Sequence, residues 1–349
     1  MSKIKIGLLL SKSGPTGLWA PSAITAATLA AAEANLGGGV AEREVELIVR
    51  DGGWEPQTVV EAATRMVEEG VAAVVGMLAS NSRRQVSYAL SGRIPFIYTP
   101  NFEMDLPEPT IPVGTTDDLL LRPFLEWIEA RFHARRFFMI GSDYRWPRKS
   151  MPMAAGMIAG MGNSVDNILL RPMNADDAWD QRAIELISRA NPDVLLSFLV
   201  GDQGIPFFRA FEKAGKAACI PRCCIGTEES ALLSLTQNES EAIFACANYF
   251  ATSKTKANRS FMEKYWSAFD EYAPMPNAYG QSCYEGVSCA VGIARSAMQL
   301  GMPALVDVPL REVVYRSARH EGCHGRVGQK QPVFIAQAQG TSFEIEARF

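Results

Sequence analysis

Two series of short apolar runs alternate with longer amphipathic patterns along this chain, and this alternation constrains the fold more than any other feature. The first series predicts strands at residues 3–10, 45–50, 71–77 and 94–98. The second predicts strands at residues 136–140, 164–170, 193–199 and 220–225. Short apolar strands separated by helices indicate α/β units, in which a parallel sheet has helices on both faces.

Chain length decides how many such units to expect. The 349 residues exceed what one hydrophobic core usually accommodates. Both series have the same plan, but their sequences do not repeat. The sequence therefore predicts two doubly wound α/β lobes with parallel sheets, rather than one large sheet.

Charge and hydropathy exclude several classes of partner. The formal net charge of -4 and the lack of a long basic block argue against direct nucleic-acid binding. The apolar helix predicted at residues 22–32 is too short to span a bilayer, so no membrane insertion is expected. The chain enters its first strand without a recognisable signal peptide, which predicts a cytoplasmic protein, or a periplasmic one if a signal peptide has been removed.

The cysteines also favour a reducing compartment. All seven lie between Cys219 and Cys323, and an odd number that includes the adjacent Cys223 and Cys224 suits an oxidising compartment poorly. The group around Cys223 lacks the CxxC spacing and the fourth ligand of a structural zinc site. We therefore predict a packing role for these thiols and no metal.

No catalytic template is present. The sequence lacks the GxSxG, GxxxxGK[ST], HExxH and GxGxxG motifs. The three histidines, His133, His320 and His324, lie outside the loops that follow the predicted strands. A non-enzymatic binding protein without a cofactor is the expected class.

Ligands of open parallel sheets bind beyond the carboxyl ends of the strands, so the loops at these ends supply the candidate site. Ser80 and Asn81 follow a predicted strand and come just before a helix predicted at residues 82–91. Thr99 lies in a neighbouring strand-end loop. Such hydroxyl and amide groups suit a polar ligand oxygen, although a plain helix cap for Ser80 and a turn for Thr99 are the alternatives.

The stretch GSDYRWPRKS places two rings in the corresponding loop of the second series. Tyr144 and Trp146 precede a helix predicted to begin at Pro147, and such rings suit the wall of a ligand cleft. Packing without a ligand is the alternative interpretation. Arg145 and Arg148 are expected to face solvent or to pair locally.

The order of several motifs carries a resemblance. SGPTG, GMLASNSRR, IYTPNFE, GSDYRWPRKS, LVGDQGIPFFRA, GTEES and NYF together resemble the type I periplasmic-binding-protein family across the whole chain. Within it, the chain resembles the branch that contains an amide sensor of an amidase operon and the urea and short-amide receptors of importers. The resemblance implies two lobes joined by three crossovers around a ligand cleft. Residues 1–118 and 251–325 would form lobe 1, residues 119–250 lobe 2, and residues 326–349 would belong to lobe 2 or to the hinge.

The resemblance also implies the site residues. The first-lobe positions are Ser80, Asn81, Tyr98 and Thr99, and the second-lobe positions are Tyr144, Trp146, Thr227 and Glu228. Weaker candidates are Trp19, Asp202 and Tyr249.

The expected ligand is a short-chain amide, urea or an amino acid, and Glu228, or Glu229 in another alignment, would pair with the ammonium of an amino acid. The main functional prediction is a cytoplasmic sensor, such as an antitermination regulator, that controls a regulatory protein. The alternative is the substrate-binding component of an ABC importer, with a permease as partner. The sequence is also compatible with a homodimer.

Overall fold

Segments from both halves of the chain build each of two units in the computed structural model, which describes residues 3–104, 106 and 109–349. Unit 1 comprises Met1–Thr115 and Ser253–Gln331, and unit 2 comprises Thr116–Thr252 and Pro332–Phe349. The chain therefore passes from one unit to the other three times. The sequence analysis placed these three divisions after residues 118, 250 and 325.

Unit 1 contains a five-stranded parallel sheet in the order β2-β1-β3-β4-β5. All five residues of its central β3 are buried, as expected for a strand covered by helices on both faces. The strands are β1 (Ile4–Leu10), β2 (Val45–Asp51), β3 (Ala73–Met77), β4 (Phe96–Tyr98) and β5 (Thr110–Pro112), and β11 (Val314–Arg316) and β12 (His324–Arg326) form a separate antiparallel pair. The helices are α1 (Ala20–Leu36), α2 (Pro56–Glu68), α3 (Ser80–Leu90), α10 (Lys256–Phe269) and α11 (Ala278–Leu300).

Unit 2 contains a seven-stranded sheet in the order β14-β13-β10-β9-β8-β6-β7. Its first five strands along the chain are parallel, and the C-terminal β13 and β14 extend the sheet in antiparallel fashion. The strands are β6 (Arg136–Ser142), β7 (Ser164–Arg171), β8 (Val194–Phe198), β9 (Arg222–Cys224), β10 (Ile243–Ala247), β13 (Phe334–Gln339) and β14 (Ser342–Arg348). The helices are α4 (Asp117–Phe132), α5 (Arg145–Gly160), α6 (Asp177–Ala190), α7 (Gly204–Lys213), α8 (Glu229–Leu232) and α9 (Gln237–Ser240).

The prediction of two α/β lobes with parallel sheets is confirmed, but several elements differ from their predicted bounds. The helix predicted at residues 82–91 begins at Ser80, so Ser80 and Asn81 lie in its first turn rather than before it. Helix α5 begins at Arg145 and not at Pro147. The sequence analysis did not identify β5, β10, β11 and β12. Three of these strands are only three residues long, too short for a periodic signal.

Cys223 and Cys224 lie buried in β9, in accordance with the packing role predicted for them. Within residues 3–104, 106 and 109–349, no helix combines the length and the apolar character that a membrane crossing requires.

Candidate functional site

The carboxyl ends of β3 and β4 bring two predicted hydroxyl residues into one region of unit 1. These strands are neighbours in the sheet and run parallel, with Val74 paired to Phe96 and Gly76 paired to Tyr98. Ser80 follows β3, and Thr99 follows β4 directly. Adjacent parallel strands end at the same edge of a sheet, so the loops that carry the two residues are neighbours.

The first turn of α3 carries polar atoms that the protein itself leaves unsatisfied. Ser80 Oγ, Asn81 Oδ1 and Ser82 Oγ are buried, and none has a hydrogen-bond partner in the part of the chain that the structure describes. The helix cap, Ala79, offers no side-chain hydrogen bond. Buried polar groups are nearly always paired, so three unsatisfied ones at a helix start indicate a place for ligand atoms. Ser82 was not among the residues proposed from the sequence.

Thr99 lies beside the long helix α11. Its backbone N–H donates to the Gly76 carbonyl at 3.1 Å, while its hydroxyl is 3.4 Å from the same oxygen and 3.8 Å from Cys283 Sγ. A Cβ added at Gly286 would approach the Thr99 Cγ2 atom at 2.7 Å and the Val75 Cγ1 atom at 2.6 Å. The position of Thr99 therefore depends on the absence of a side chain at Gly286.

The side chain of Tyr98 packs against the segment between β3 and α3. The residue is fully buried, and its hydroxyl donates to the Leu78 carbonyl at 2.8 Å. The phenolic proton is therefore engaged within unit 1. Tyr98 contributes to the candidate site through its backbone, which leads directly into Thr99.

An aromatic pair forms within unit 1 between the loop after β1 and the start of α11. The rings of Trp19 and Tyr279 stack with centroids 3.5 Å apart and planes inclined by 17°. The preceding Asn277 caps α11 by accepting from Gly280 N at 2.8 Å, which fixes the start of the helix and with it Tyr279. Trp19 was a weaker candidate of the sequence analysis, and Tyr279 was missed because it lies almost 200 residues after the first series ends.

Unit 2 pairs most of its polar groups internally, as Trp146 demonstrates. Only 5% of Trp146 is exposed, and its indole N–H donates to Asp117 Oδ2 at 2.6 Å. The hydroxyl of Ser150 donates to the same oxygen. The ring packs against Phe198 and lies close to Gly226, whose added Cβ would be 3.4 Å from it. Trp146 is thus a core residue of unit 2, with its polar atom already bonded.

Tyr144 is placed differently from Trp146. It is half-buried, precedes α5 in extended conformation and lies with its ring centroid 6.3 Å from that of Trp146. The neighbouring Arg148 pairs with Asp143 at 2.6 Å, which confirms the predicted local pairing. Of the two rings, only Tyr144 retains an accessible part of its surface for another molecule.

The loop after β9 contains Thr227 and two adjacent acidic residues, all buried. Glu228 caps α8, since its Oε2 atom accepts from Ser230 N at 2.8 Å. Glu229 accepts from Ala251 N at 2.8 Å through Oε1, whereas its Oε2 atom lacks a hydrogen-bond partner among the described residues. Burial, together with the nearby Glu228, raises the pKa of Glu229 to about 8. This carboxyl group is therefore largely neutral at pH 7.

The two remaining weaker candidates occupy contrasting positions in unit 2. Asp202 is exposed, and its Oδ1 atom accepts from Gln203 Nε2 at 3.2 Å. Tyr249 is completely buried. Among the described residues, no group of three or more histidine, cysteine or acidic side chains is arranged to hold a metal ion.

Comparisons with known proteins agree with this architecture. Residues 3–341 match the profile of the periplasmic binding protein family. A segment of 84 residues is 29% identical to the Leu/Ile/Val-binding protein of Escherichia coli (strain K12), and it covers 24% of this chain and 23% of that protein. The match therefore spans less than a quarter of the curated relative.

Two solved structures share the fold over almost their full length. One is the solute-binding protein of an ABC transporter from R. palustris in complex with 4-hydroxybenzoate, with a TM-score of 0.85, 16% identity, and coverage of 100% of this chain and 97% of that one. The other is a branched-chain amino acid transporter substrate-binding protein from Streptococcus pneumoniae in complex with isoleucine, with a TM-score of 0.81, 15% identity and coverage of 99% of both chains. The family profile, which spans nearly the whole sequence, establishes that this chain belongs to the periplasmic binding protein family.

Proposed function

We propose that this chain is the substrate-binding component of an ABC importer and that it binds a small organic acid with an apolar body. The observation that carries the proposal is the set of unsatisfied atoms at the start of α3, namely Ser80 Oγ, Asn81 Oδ1 and Ser82 Oγ. Membership of the periplasmic binding protein family supports a transport role. The alternative stated from the sequence thus becomes the main proposal, in place of the cytoplasmic sensor.

The electrostatics at the start of α3 are the reason for proposing that the solute carries an acid group. The first N–H groups of a helix lack intrahelical partners, and the helix dipole adds a partial positive charge there. The Ser80 hydroxyl can donate a further hydrogen bond to an oxygen placed at this point. A carboxylate, with two acceptor oxygens and a negative charge, complements the helix N–H groups and the Ser80 hydroxyl. Asn81 Oδ1 is an acceptor, so it requires an O–H or N–H donor elsewhere on the solute.

The apolar body follows from the aromatic residues of unit 1. The stacked rings of Trp19 and Tyr279 are only 3% and 8% exposed, so they offer a solute the edge of an apolar wall beside the loop after β1. Ligands with a carboxylate and an apolar body occur in the similar structures, one with 4-hydroxybenzoate and one with isoleucine. We place aromatic acids ahead of amino acids because the rings beside the loop after β1 are aromatic.

A ligand panel tests this proposal. Thermal shift and titration calorimetry at pH 7 would compare benzoate and 4-hydroxybenzoate with leucine, isoleucine, acetamide and urea. We expect micromolar or tighter binding of at least one acid, a raised Tm with that acid, and no response to acetamide or urea. Selective binding of acetamide or urea would restore the amide prediction and overturn ours.

The cysteines support a second candidate function, the cytoplasmic ligand sensor. All seven are free thiols, and five of them are buried. Reduced cysteines are typical of intracellular proteins. Fractionation of the native host decides between the two roles, because an importer component is recovered from the periplasm and a sensor from the cytoplasm together with its regulatory partner.

A further inference from the structure

A buried ion pair joins the first turn of α3 to the loop after β4. Arg83 is 1% exposed, and its Nη1 atom donates to Glu103 Oε2 at 2.8 Å. Burial alone would lower the pKa of Arg83, but the combined influence of Tyr98 and Glu103 raises it. The guanidinium therefore remains charged inside unit 1.

The rings around Arg83 belong to the same loop. The guanidinium carbon lies 5.1 Å from the ring centroid of Tyr98 and 5.8 Å from that of Phe102. Such cation–π contacts are stronger when water is excluded. Phe102 is itself held by its backbone N–H, which donates to the Thr115 carbonyl at 3.0 Å. Three residues of the segment 98–103 thus surround one side chain of α3.

The position of Arg83 connects this cluster with the candidate site. It comes three residues after Ser80 in α3, so both lie in the same turn of the helix. Tyr98, on the other side of the contact, directly precedes Thr99. The buried guanidinium is therefore one of the contacts that hold α3 against the end of β4, together with the bond from the Tyr98 hydroxyl to the Leu78 carbonyl.

We propose that Arg83 is a positioning residue for the solute, which holds Ser80 and Thr99 in the arrangement that binds the acid group. The assignment rests on the proposed function. Arg83 itself has no access to the ligand, because it is enclosed by Glu103 and the two rings. A lysine in its place keeps the charge but loses the planar group that meets both rings and the carboxylate together.

Hydrogen exchange in the ligand-free protein gives the first test. We expect Arg83→Lys to speed amide exchange at least tenfold in peptides covering residues 79–84 and 98–103, while peptides of unit 2 keep their rates. Arg222→Lys provides the matched control. Arg222 is also a buried arginine, but it donates to the Glu239 carbonyl near the amino end of β9 in unit 2. This control should change exchange only in unit 2.

Binding gives the second test, with 4-hydroxybenzoate and isoleucine as probes. Arg83→Lys should weaken the binding of the accepted probe about tenfold, and Arg222→Lys less than twofold. In a Ser80→Ala background, Arg83→Lys should cost less than threefold, because the hydroxyl that it positions is already gone. Glu103→Asp, which keeps the charge of the partner and shortens its side chain, serves as a second variant should Arg83→Lys fail to fold.

The outcomes separate the two proposals. An equal affinity loss from Arg83→Lys with and without the Ser80 hydroxyl, or unchanged exchange in residues 79–84, would reduce Arg83 to a contributor to stability. If the wild-type protein binds none of the acids in the panel, the proposed function fails, and the exchange experiment still decides whether Arg83 orders the two segments.

Discussion

Polar side chains near the strand ends of the two units differ in their hydrogen bonding. In unit 1, Ser80 Oγ is buried without a hydrogen-bond partner among the described residues, whereas in unit 2 the hydroxyl of Ser142 accepts from Val200 N at 3.1 Å. Trp146 likewise donates to Asp117 inside unit 2. Ser80 thus retains hydrogen-bonding capacity for another molecule, whereas Ser142 and Trp146 are paired inside unit 2. Exceptions in unit 2 are Glu229 Oε2, Asp118 Oδ1 and Arg222 Nε, which are buried without a hydrogen-bond partner among the described residues.

Buried arginines show that the two units nevertheless share a means of ordering these loops. Arg83 in unit 1 pairs with Glu103, and Arg171 at the carboxyl end of β7 pairs with Asp180 at 2.8 Å. Arg171 also donates to Gln203 Oε1 at 2.7 Å, which ties β7 to the loop after β8. Each unit therefore fixes its strand-end loops with an ion pair, and only the use of the remaining polar atoms differs.

The largest expected effect concerns the core of unit 2. Trp146→Ala should lower the free energy of unfolding by about 3–5 kcal/mol, because it removes a buried ring and leaves Asp117 without its indole donor. Urea denaturation would measure the loss. Tyr144→Ala is the matched control, and it should cost less stability because this ring is only half-buried. A Trp146→Ala protein of normal stability would reverse the comparison.

The buried carboxyl group of Glu229 in unit 2 predicts that the stability of the protein depends on pH. The folded protein raises the pKa of Glu229 above its ordinary value of 4.5 to about 8, so this carboxyl favours folding below pH 4.5 and loses that contribution as the pH rises toward 8. Relative to Glu229→Gln, the wild type should lose about 3–4 kcal/mol of unfolding free energy between pH 5 and pH 8. Urea titrations across this range test it, with the exposed Glu344→Gln as control. Parallel pH profiles of wild type and Glu229→Gln would refute it.

Substitutions of Ser80 in unit 1 and Ser142 in unit 2 test the difference between the two units directly. Ser80→Ala should weaken solute binding by roughly 1–2 kcal/mol while leaving the stability of the free protein unchanged or slightly raised, because the hydroxyl has no internal partner to lose. Ser142→Ala should do the opposite and lower stability by about 1 kcal/mol at constant affinity. Calorimetric titration and urea denaturation of both variants provide the readouts. Equal stability losses would show that Ser80 serves only as part of the helix start.

The smallest effect concerns the buried thiols. Cys219 is exposed and should react at once with a thiol reagent, without any change in stability. Cys283 lies beneath Thr99 in unit 1 and Cys224 lies in β9 of unit 2, so both should react only when the protein opens locally. A bound acid should slow the labelling of Cys283 more than that of Cys224. Equal protection of both would argue against binding at Thr99.

The sequence predicted the parallel sheets because buried strands such as β3 and β8 are continuous apolar runs. It also predicted the loops that carry Ser80 and Thr99, since these follow from strand order. It did not reveal which polar atoms remain unsatisfied. The bond from Trp146 to Asp117 and the pair of Arg83 with Glu103 join residues 29 and 20 positions apart, and no local pattern encodes such pairings.

The bare backbone at Gly286 has a practical consequence. The helix α11 approaches Thr99 and Val75 so closely that even one methyl group at this position would push against the end of β4. Substitution with alanine would therefore shift the Thr99 hydroxyl while every polar side chain of the candidate site is retained. Under the proposed function, this glycine is the position at which affinity for the solute could be lowered without changing those side chains.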